Sequence, residues 1–325
     1  MRVISLFSGA GGLDLGLIQA GHTVLWANEL DKDAAATYRL NIGPHIVEGD
    51  IGEIGLDTMP EADVVVGGFP CEGFSRANLR RSLEDTRNNL YVYFVRTVRT
   101  KQPLYFLAEN VRGLLTLAGG AAIRRIVRDF GESGYRVQYQ LFNTADYGVP
   151  QTRQRVIIAG TRNDLPPDLD YIFPQPTHSR DAQPDQSAVL LQDALLPWAT
   201  CWEALKDVPE PDAADCSLAN HVYSRYKVTN RDFTGHRWTD PSKPSPTVLA
   251  RGDGGGGVCA LQHPLNHRRM SVRETAIIQT FPTDFGFVGS MNSCYRQVGN
   301  AVPVLFAKRL GEQLAVLEER LETCA

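Results

Sequence analysis

Paired cysteines are missing from this chain of 325 residues: its six, at positions 71, 201, 216, 259, 294 and 324, form no CxxC pair and keep no even spacing. That excludes a disulfide framework and a zinc site of the usual spacing, and it makes a reducing, cytoplasmic setting the expected one. No apolar run is long enough to span a bilayer. The opening Met-Arg-Val-Ile-Ser-Leu-Phe runs straight into a Gly-rich turn without a small-residue cleavage site, so no signal peptide is expected. A dominant charge is absent too. The net charge is −4, which gives no global attraction to a polyanion. Local charge differs: residues 161–220 hold eleven acidic and three basic side chains, whereas 221–270 hold eight Lys or Arg, three Asp and four His. A basic face on a mildly acidic protein is therefore possible. With 43% hydrophobic and 22% charged residues the chain reads as globular, long enough for one large domain and a smaller one.

What is present at the N-terminus is a strand, a tight turn, a helix and a strand. Val3 to Phe7 favours β structure, Ser8 to Gly12 is a turn, Leu13 to Ala20 has helical spacing, and Thr23 to Ala27 returns to strand. This is the opening unit of a doubly wound α/β sheet. Further strands are predicted at Val64 to Val66, Tyr105 to Ala108, Tyr135 to Leu141 and Arg155 to Ala159, with helices at Asp31 to Leu40, Asn89 to Arg99 and Ala121 to Phe130. After Thr161 the texture becomes rich in Pro and Asp, then in Gly, and periodicity is lost until about residue 268. Helical spacing returns at Ser271 to Thr280 and Val304 to Leu321. The expected organisation is a domain built from both ends, 1–163 and 266–325, around a loop-rich insertion, 164–265.

The turn Phe7-Ser8-Gly9-Ala10-Gly11-Gly12 permits close approach of a ligand to the backbone. Nicotinamide, flavin and S-adenosylmethionine enzymes all use such turns. Glu29 ends the second strand, where a carboxylate can hold two ribose hydroxyls. Asp50 ends another strand and could accept from an adenine amino group, and Phe7 offers an aromatic face. The spacing Gly-x-Gly-Gly is a poor dinucleotide fingerprint.

Pro70-Cys71 sits on a Gly- and Pro-bounded loop after Val64 to Val66, a setting suited to a nucleophile, although a lone Cys is often merely buried. Glu109-Asn110-Val111 ends a neighbouring strand, and parallel strand ends can face one crevice. Alternation puts Gln151, Arg153 and Arg155 on one side of the next strand, as ligand contacts or as a solvated edge.

In order and spacing these residues resemble the DNA cytosine-5 methyltransferase family. Phe7 to Gly12 resembles its first motif, with Phe7, Gly9, Gly11 and Gly12 as cofactor contacts; Glu29, Asp50 and Ile51 resemble the next ones. Pro70-Cys71 matches the catalytic dipeptide, with Pro70 also a cofactor contact, Leu90 a residue lining the cofactor site, Glu109-Asn110-Val111 the Glu-Asn-Val motif, and Gln151, Arg153 and Arg155 the Gln-x-Arg-x-Arg motif. Arg268 to Pro282 matches the ninth motif, and Gln297 to Pro303 the tenth, which brings Asn300 and Val302 to the cofactor. The resemblance covers about 1–160 and 265–310. It implies a Rossmann-like S-adenosyl-L-methionine-dependent domain with a small inserted target-recognition domain. It also implies transfer of a methyl group to carbon 5 of a flipped-out cytosine in a specific double-stranded DNA sequence, by a monomer that could be paired with a restriction endonuclease.

The implied chemistry uses Cys71 as nucleophile on carbon 6, Glu109 at N3, Arg155 at O2 and Arg153 in support, with no metal; Cys259, His263 and His267 are spaced like ligands, but Pro264 breaks the helix they would need. The segment 72–87, with Ser75, Arg76 and Arg87, is expected to close over DNA. Arg231, Arg237, Arg251, Gly254 and Gly255 are the expected groove and phosphate contacts. One position departs from the family: Glu72 stands where Gln is usual, adding a like charge beside a thiolate, and Glu72→Gln is expected to raise turnover or DNA affinity in steady-state kinetics. Three other readings stay open here: a transfer RNA cytosine methyltransferase, a nicotinamide-dependent oxidoreductase, and a DNA-binding member weakened by Glu72.

Overall fold

The computed structural model describes residues 1–69, 90–182, 194–214, 216–225, 238–250, 261–265 and 267–324. The chain opens β1 (Arg2–Leu6), α1 (Gly12–Gln19), β2 (Thr23–Glu29), α2 (Lys32–Asn41), β3 (Ile46–Glu48) and β4 (Val64–Gly67). It continues through α3 (Leu90–Lys101), β5 (Tyr105–Val111), α4 (Ala121–Gly131), β6 (Tyr135–Asn143), β7 (Gln151–Thr152) and β8 (Gln154–Arg162). Seven strands form one sheet in the order β3-β2-β1-β4-β5-β8-β6. The first five run parallel; β8 runs antiparallel to both β5 and β6.

Strand residues alternate between two cores. Val3, Val64, Val66, Tyr105, Leu107, Ile157 and Ala159 bury on one face, while Ile4, Val65, Phe106, Ala108, Val156 and Ile158 bury on the other. That period of two lets a continuous apolar run such as Val64-Val65-Val66 serve both faces of a covered parallel sheet. One face is covered by α1, α2 and α8 (Val304–Cys324), the other by α3 and α4. α1 and α8 touch closely: a Cβ on Gly16 would lie 2.4 Å from the Ala307 Cβ and 2.5 Å from the Val304 carbonyl oxygen. Gly16 is the residue that allows this approach.

The C-terminal part returns as α6 (Val272–Ile278), α7 (Met291–Asn300) and α8, after α5 (Cys201–Leu205) has come from the middle of the chain. Ser271 and Glu274 form a reciprocal capping box that starts α6. α7 was not predicted as a helix; its start is marked by Ser290, whose side chain accepts from the Ser293 N–H. α6, α7 and α5 share a third core with Val248 and Leu261. Leu169, Tyr171 and Phe173, just past the expected domain boundary, pack into the first core. Among the described residues of 163–265 regular structure is sparse: α5, one short 3-10 turn and two-residue strands. No helix among the described residues is long and apolar enough to cross a membrane.

Candidate active site

The parallel strands end on one side of the sheet, and there a cavity of about 880 Å³ opens between the strand ends and α7. Phe7, Gly9, Gly12, Glu29, Asp50, Ile51, Leu90, Asn300 and Val302 all line it. Phe7 has a positive φ of 56°, an uncommon backbone for a non-glycine residue. The turn is held by Glu29, whose carboxylate accepts from Gly9 N–H at 2.8 Å and from Asp31 N–H at 2.8 Å. Burial pushes the Glu29 carboxyl above its ordinary range, against the opposing pull of those two N–H groups. Gly11 does not line the cavity. At φ 90° it turns toward α2, where a Cβ would meet Ile42 Cδ1 at 2.2 Å, so it shapes the turn from behind. Exposed Asp50 accepts from Gly52 N–H at 2.8 Å.

This wall suits a nucleoside that carries an amino-acid arm. A carboxylate held rigidly at a strand end can accept from two hydroxyls, and Phe7, Ile51 and Leu90 are the apolar surfaces an adenine ring needs.

The far end of the cavity carries Glu109, Arg153 and Arg155. Arg155 Nε lies 2.5 Å from Glu109 Oε1, an ion pair whose alignment is not that of a hydrogen bond. Both side chains are 12% exposed, enough for one edge to meet a ligand. The pair arises from register, since Val111 lies opposite Arg155 and Glu109 opposite Ile157 in the β5–β8 ladder. Arg153 is different. It is 1% exposed and donates to Val248 O and Gly299 O, each at 2.9 Å. It ties the strand entry to the segment around Val248 and to the end of α7. Burial and the Arg155 charge work against its own charge, and Glu109 favours it. Gln151 is a second tie: it donates to Gln279 Oε1 at 2.7 Å and accepts from Val248 N–H at 2.9 Å. The reading of this strand as a solvated edge is thus excluded at Gln151 and Arg153, which are buried.

Three features were not read from the sequence. Asn110 donates to Phe69 O at 2.8 Å and so fixes the exit of β4 next to Glu109. Arg296 on α7 reaches across the cavity to Asp31, the cap of α2, at 2.6 Å. Ser8 donates to Ser5 Oγ at 2.9 Å and Ser5 to Asp14 Oδ1 at 2.6 Å, beneath the glycine turn. Pro70, Cys71, Glu72, Ser75, Arg76, Arg87, Arg231, Arg237, Arg251, Gly254 and Gly255 lie outside the described residues, as does Cys259.

Of the described cysteines, Cys201 and Cys294 are buried and have thiols that burial pushes up to about 12 and about 11. That is the wrong direction for a thiolate nucleophile, and Cys201 donates its S–H to Asp240 O. His263, His267 and Glu210 bring ligand-type atoms within 4.8 Å of one another. Arg268 occupies that carboxylate, at 2.7 Å from Glu210, and pairs with Glu274 at 2.7 Å as well. Burial would raise the Glu210 carboxyl, yet Arg268 and His267 hold it down at about 2. The cluster is a neutralised ion-pair network.

The family model of C-5 cytosine-specific DNA methylases matches residues 1–315. The Type II methyltransferase M.NgoFVII of Neisseria gonorrhoeae is 39% identical, over 93% of this chain and 83% of its own length. The Type II methyltransferase M.FnuDI of Fusobacterium nucleatum is 36% identical, over 98% of this chain and 96% of its own. Among solved structures, Schizosaccharomyces pombe Dnmt2 methyltransferase superposes with a TM-score of 0.66 at 17% identity, covering 99% of each chain, which shows a shared fold. The chain belongs to the C-5 cytosine-specific DNA methylases, enzymes that carry a methyl group from S-adenosyl-L-methionine to cytosine in double-stranded DNA.

Proposed function

We propose that this enzyme methylates carbon 5 of one cytosine within a short, specific duplex sequence, after flipping that nucleotide into the cavity, with Cys71 as a transient covalent partner. The observation that carries this reading is the Glu109–Arg155 pair on the wall of the same cavity that Glu29 lines, beside the exit of β4 that leads to Cys71. A base paired within a duplex cannot reach such a cavity, and extrusion costs a few kcal/mol.

Carbon 5 of cytosine is a weak nucleophile. Addition of the Cys71 thiolate to carbon 6 makes the ring an enamine whose carbon 5 is nucleophilic. Glu109 shares a proton at N3 as charge builds on the ring, and Arg155 donates to O2. Arg153 and Asn110 are positioning residues: one braces the strand that carries Arg155, the other the strand exit that precedes Cys71. S-Adenosyl-L-methionine, when bound, supplies an electrophilic methyl group. Glu29 would hold its ribose hydroxyls, and Phe7, Asp50, Ile51, Leu90, Asn300 and Val302 its adenine and amino-acid parts. Loss of the carbon 5 proton to water or hydroxide and elimination of Cys71 complete the cycle.

The loop-rich stretch 164–265 would read the target sequence, with Arg231, Arg237, Arg251, Gly254 and Gly255 at the groove and the phosphates. Ser75, Arg76 and Arg87 would come from the segment that closes on the extruded nucleotide. Its similar relatives are named Type II methyltransferases, and we assign this protein a protective role beside a restriction endonuclease, as a cytoplasmic monomer. The test is a duplex carrying 5-fluorocytosine at the target position. Fluorine cannot leave as a proton does, so the Cys71–carbon 6 bond persists, and a protein–DNA band that survives denaturation is expected. Its presence in Cys71→Ser would contradict the covalent step.

A further inference from the structure

Beside the cavity lies a second cleft of about 520 Å³, which shares Val111, Arg155 and Thr247 with it. Its remaining wall is Arg112, Gly113, Asn143, Thr152 and Gln154. No carboxylate is among these lining residues. Arg155 is already balanced by Glu109, so the net charge of the cleft comes from Arg112. Many described arginines are paired with acids, as Arg2 is with Asp63, Arg136 with Asp170 and Arg268 with Glu274. Among the described residues Arg112 has no such partner. Its anchor is neutral: Nη1 donates to Gln154 Oε1 at 2.9 Å, which orients the guanidinium without cancelling its charge. An exposed, oriented, uncompensated arginine among neutral polar side chains is the chemistry of a phosphodiester seat.

Its position fits one phosphate in particular. A cytosine held between Glu109 and Arg155 must leave its sugar and phosphate at the cavity mouth. Arg112 lies three residues past Glu109, just beyond the end of β5 at the start of a 3-10 turn (Arg112–Leu115) and no more than about 10 Å away along the chain, and the shared lining residues make the two spaces adjacent. We propose that this cleft holds the target-strand phosphodiester flanking the flipped cytosine, with Arg112 as its cation. The inference rests on the base-flipping reading above.

The test uses the full chain with S-adenosylhomocysteine and the duplex sequence that the enzyme methylates. Fluorescence anisotropy of Arg112→Ala and Arg112→Gln should show about tenfold weaker duplex binding. The slope of log affinity against log salt should fall by about one. Affinity for S-adenosylhomocysteine, measured by calorimetry, should stay at the wild-type value, which also reports an intact fold. A duplex with a neutral methylphosphonate on one side of the target cytosine should weaken wild-type binding and add nothing to the loss in Arg112→Ala. Additive losses at both flanking linkages, or an unchanged salt slope, would overturn the proposal. If the wild-type enzyme fails to trap the 5-fluorocytosine duplex, the base-flipping reading fails first and takes this inference with it.

Discussion

Half-buried Glu29 and fully buried Asp14 are carboxylates beside the same turn, yet they act in opposite ways. Glu29 lines the cavity, and its two oxygens are oriented by backbone N–H groups. Replacing it by Gln removes a charged acceptor while keeping the shape, and affinity for S-adenosylhomocysteine should drop about tenfold in calorimetry with DNA affinity unchanged. Asp14 never reaches a ligand; it accepts from Ser5, and burial pushes its carboxyl up to about 6. A raised folded-state value means that the folded protein binds the proton more tightly than the unfolded chain. That stabilisation is complete below the unfolded value near 4 and is lost as pH rises through about 6. Asp14→Asn, which can keep the Ser5 bond, should therefore gain over wild type between these pH values, reaching on the order of 3 kcal/mol at pH 8. Urea unfolding at about pH 4 and pH 8 reads the difference, and a gain equal at both would refute the assignment. Neither role was open to sequence reasoning in the same degree. Glu29 sits where a strand end meets a Gly-rich turn, a local pattern, whereas the burial of Asp14 depends on α2 packing over it.

Elements whose signals are local were legible. Val3 to Phe7, Val64 to Val66 and Tyr105 to Ala108 are apolar runs bounded by turns, and each became a strand. The strand order was not legible, because β8 slips between β5 and β6 through pairings that no local pattern encodes. α7 escaped because Met291 to Asn300 mixes polar, Gly and β-branched residues, and only the Ser290 cap marked it. The Gln151 to Arg155 run was read in its alternation, but the division of labour within it depends on Val248 and Gly299, about one hundred and more residues away in sequence. Gly16 carries the element-scale prediction. Its missing side chain lets α8 lie against α1, with Phe306, Leu310 and Leu314 buried beneath. Gly16→Val has no room and should cost about 2 kcal/mol or more, read as a lowered urea midpoint with an unchanged slope. Wild-type stability in that variant would mean that the helices do not meet as described.

At the scale of the molecule, one site is assembled from both ends of the chain. Phe7 and Glu29 come from the first thirty residues and Asn300 and Val302 from the last thirty, and Arg296 spans the cavity to Asp31. This explains why motifs far apart in sequence had to be read together, and why each taken alone was weak. The net charge of −4 gave no hint of DNA; recognition of a polyanion is a matter of where uncompensated cations such as Arg112 lie. The most direct test of the whole account is transfer of a labelled methyl group from S-adenosyl-L-methionine to duplex DNA and to transfer RNA, beside a Cys71→Ser control, with bisulfite sequencing of the product. The account predicts label in duplex DNA alone, at carbon 5 of cytosine in one short motif, and none with Cys71→Ser. Label in transfer RNA alone, or label that survives loss of Cys71, would contradict it.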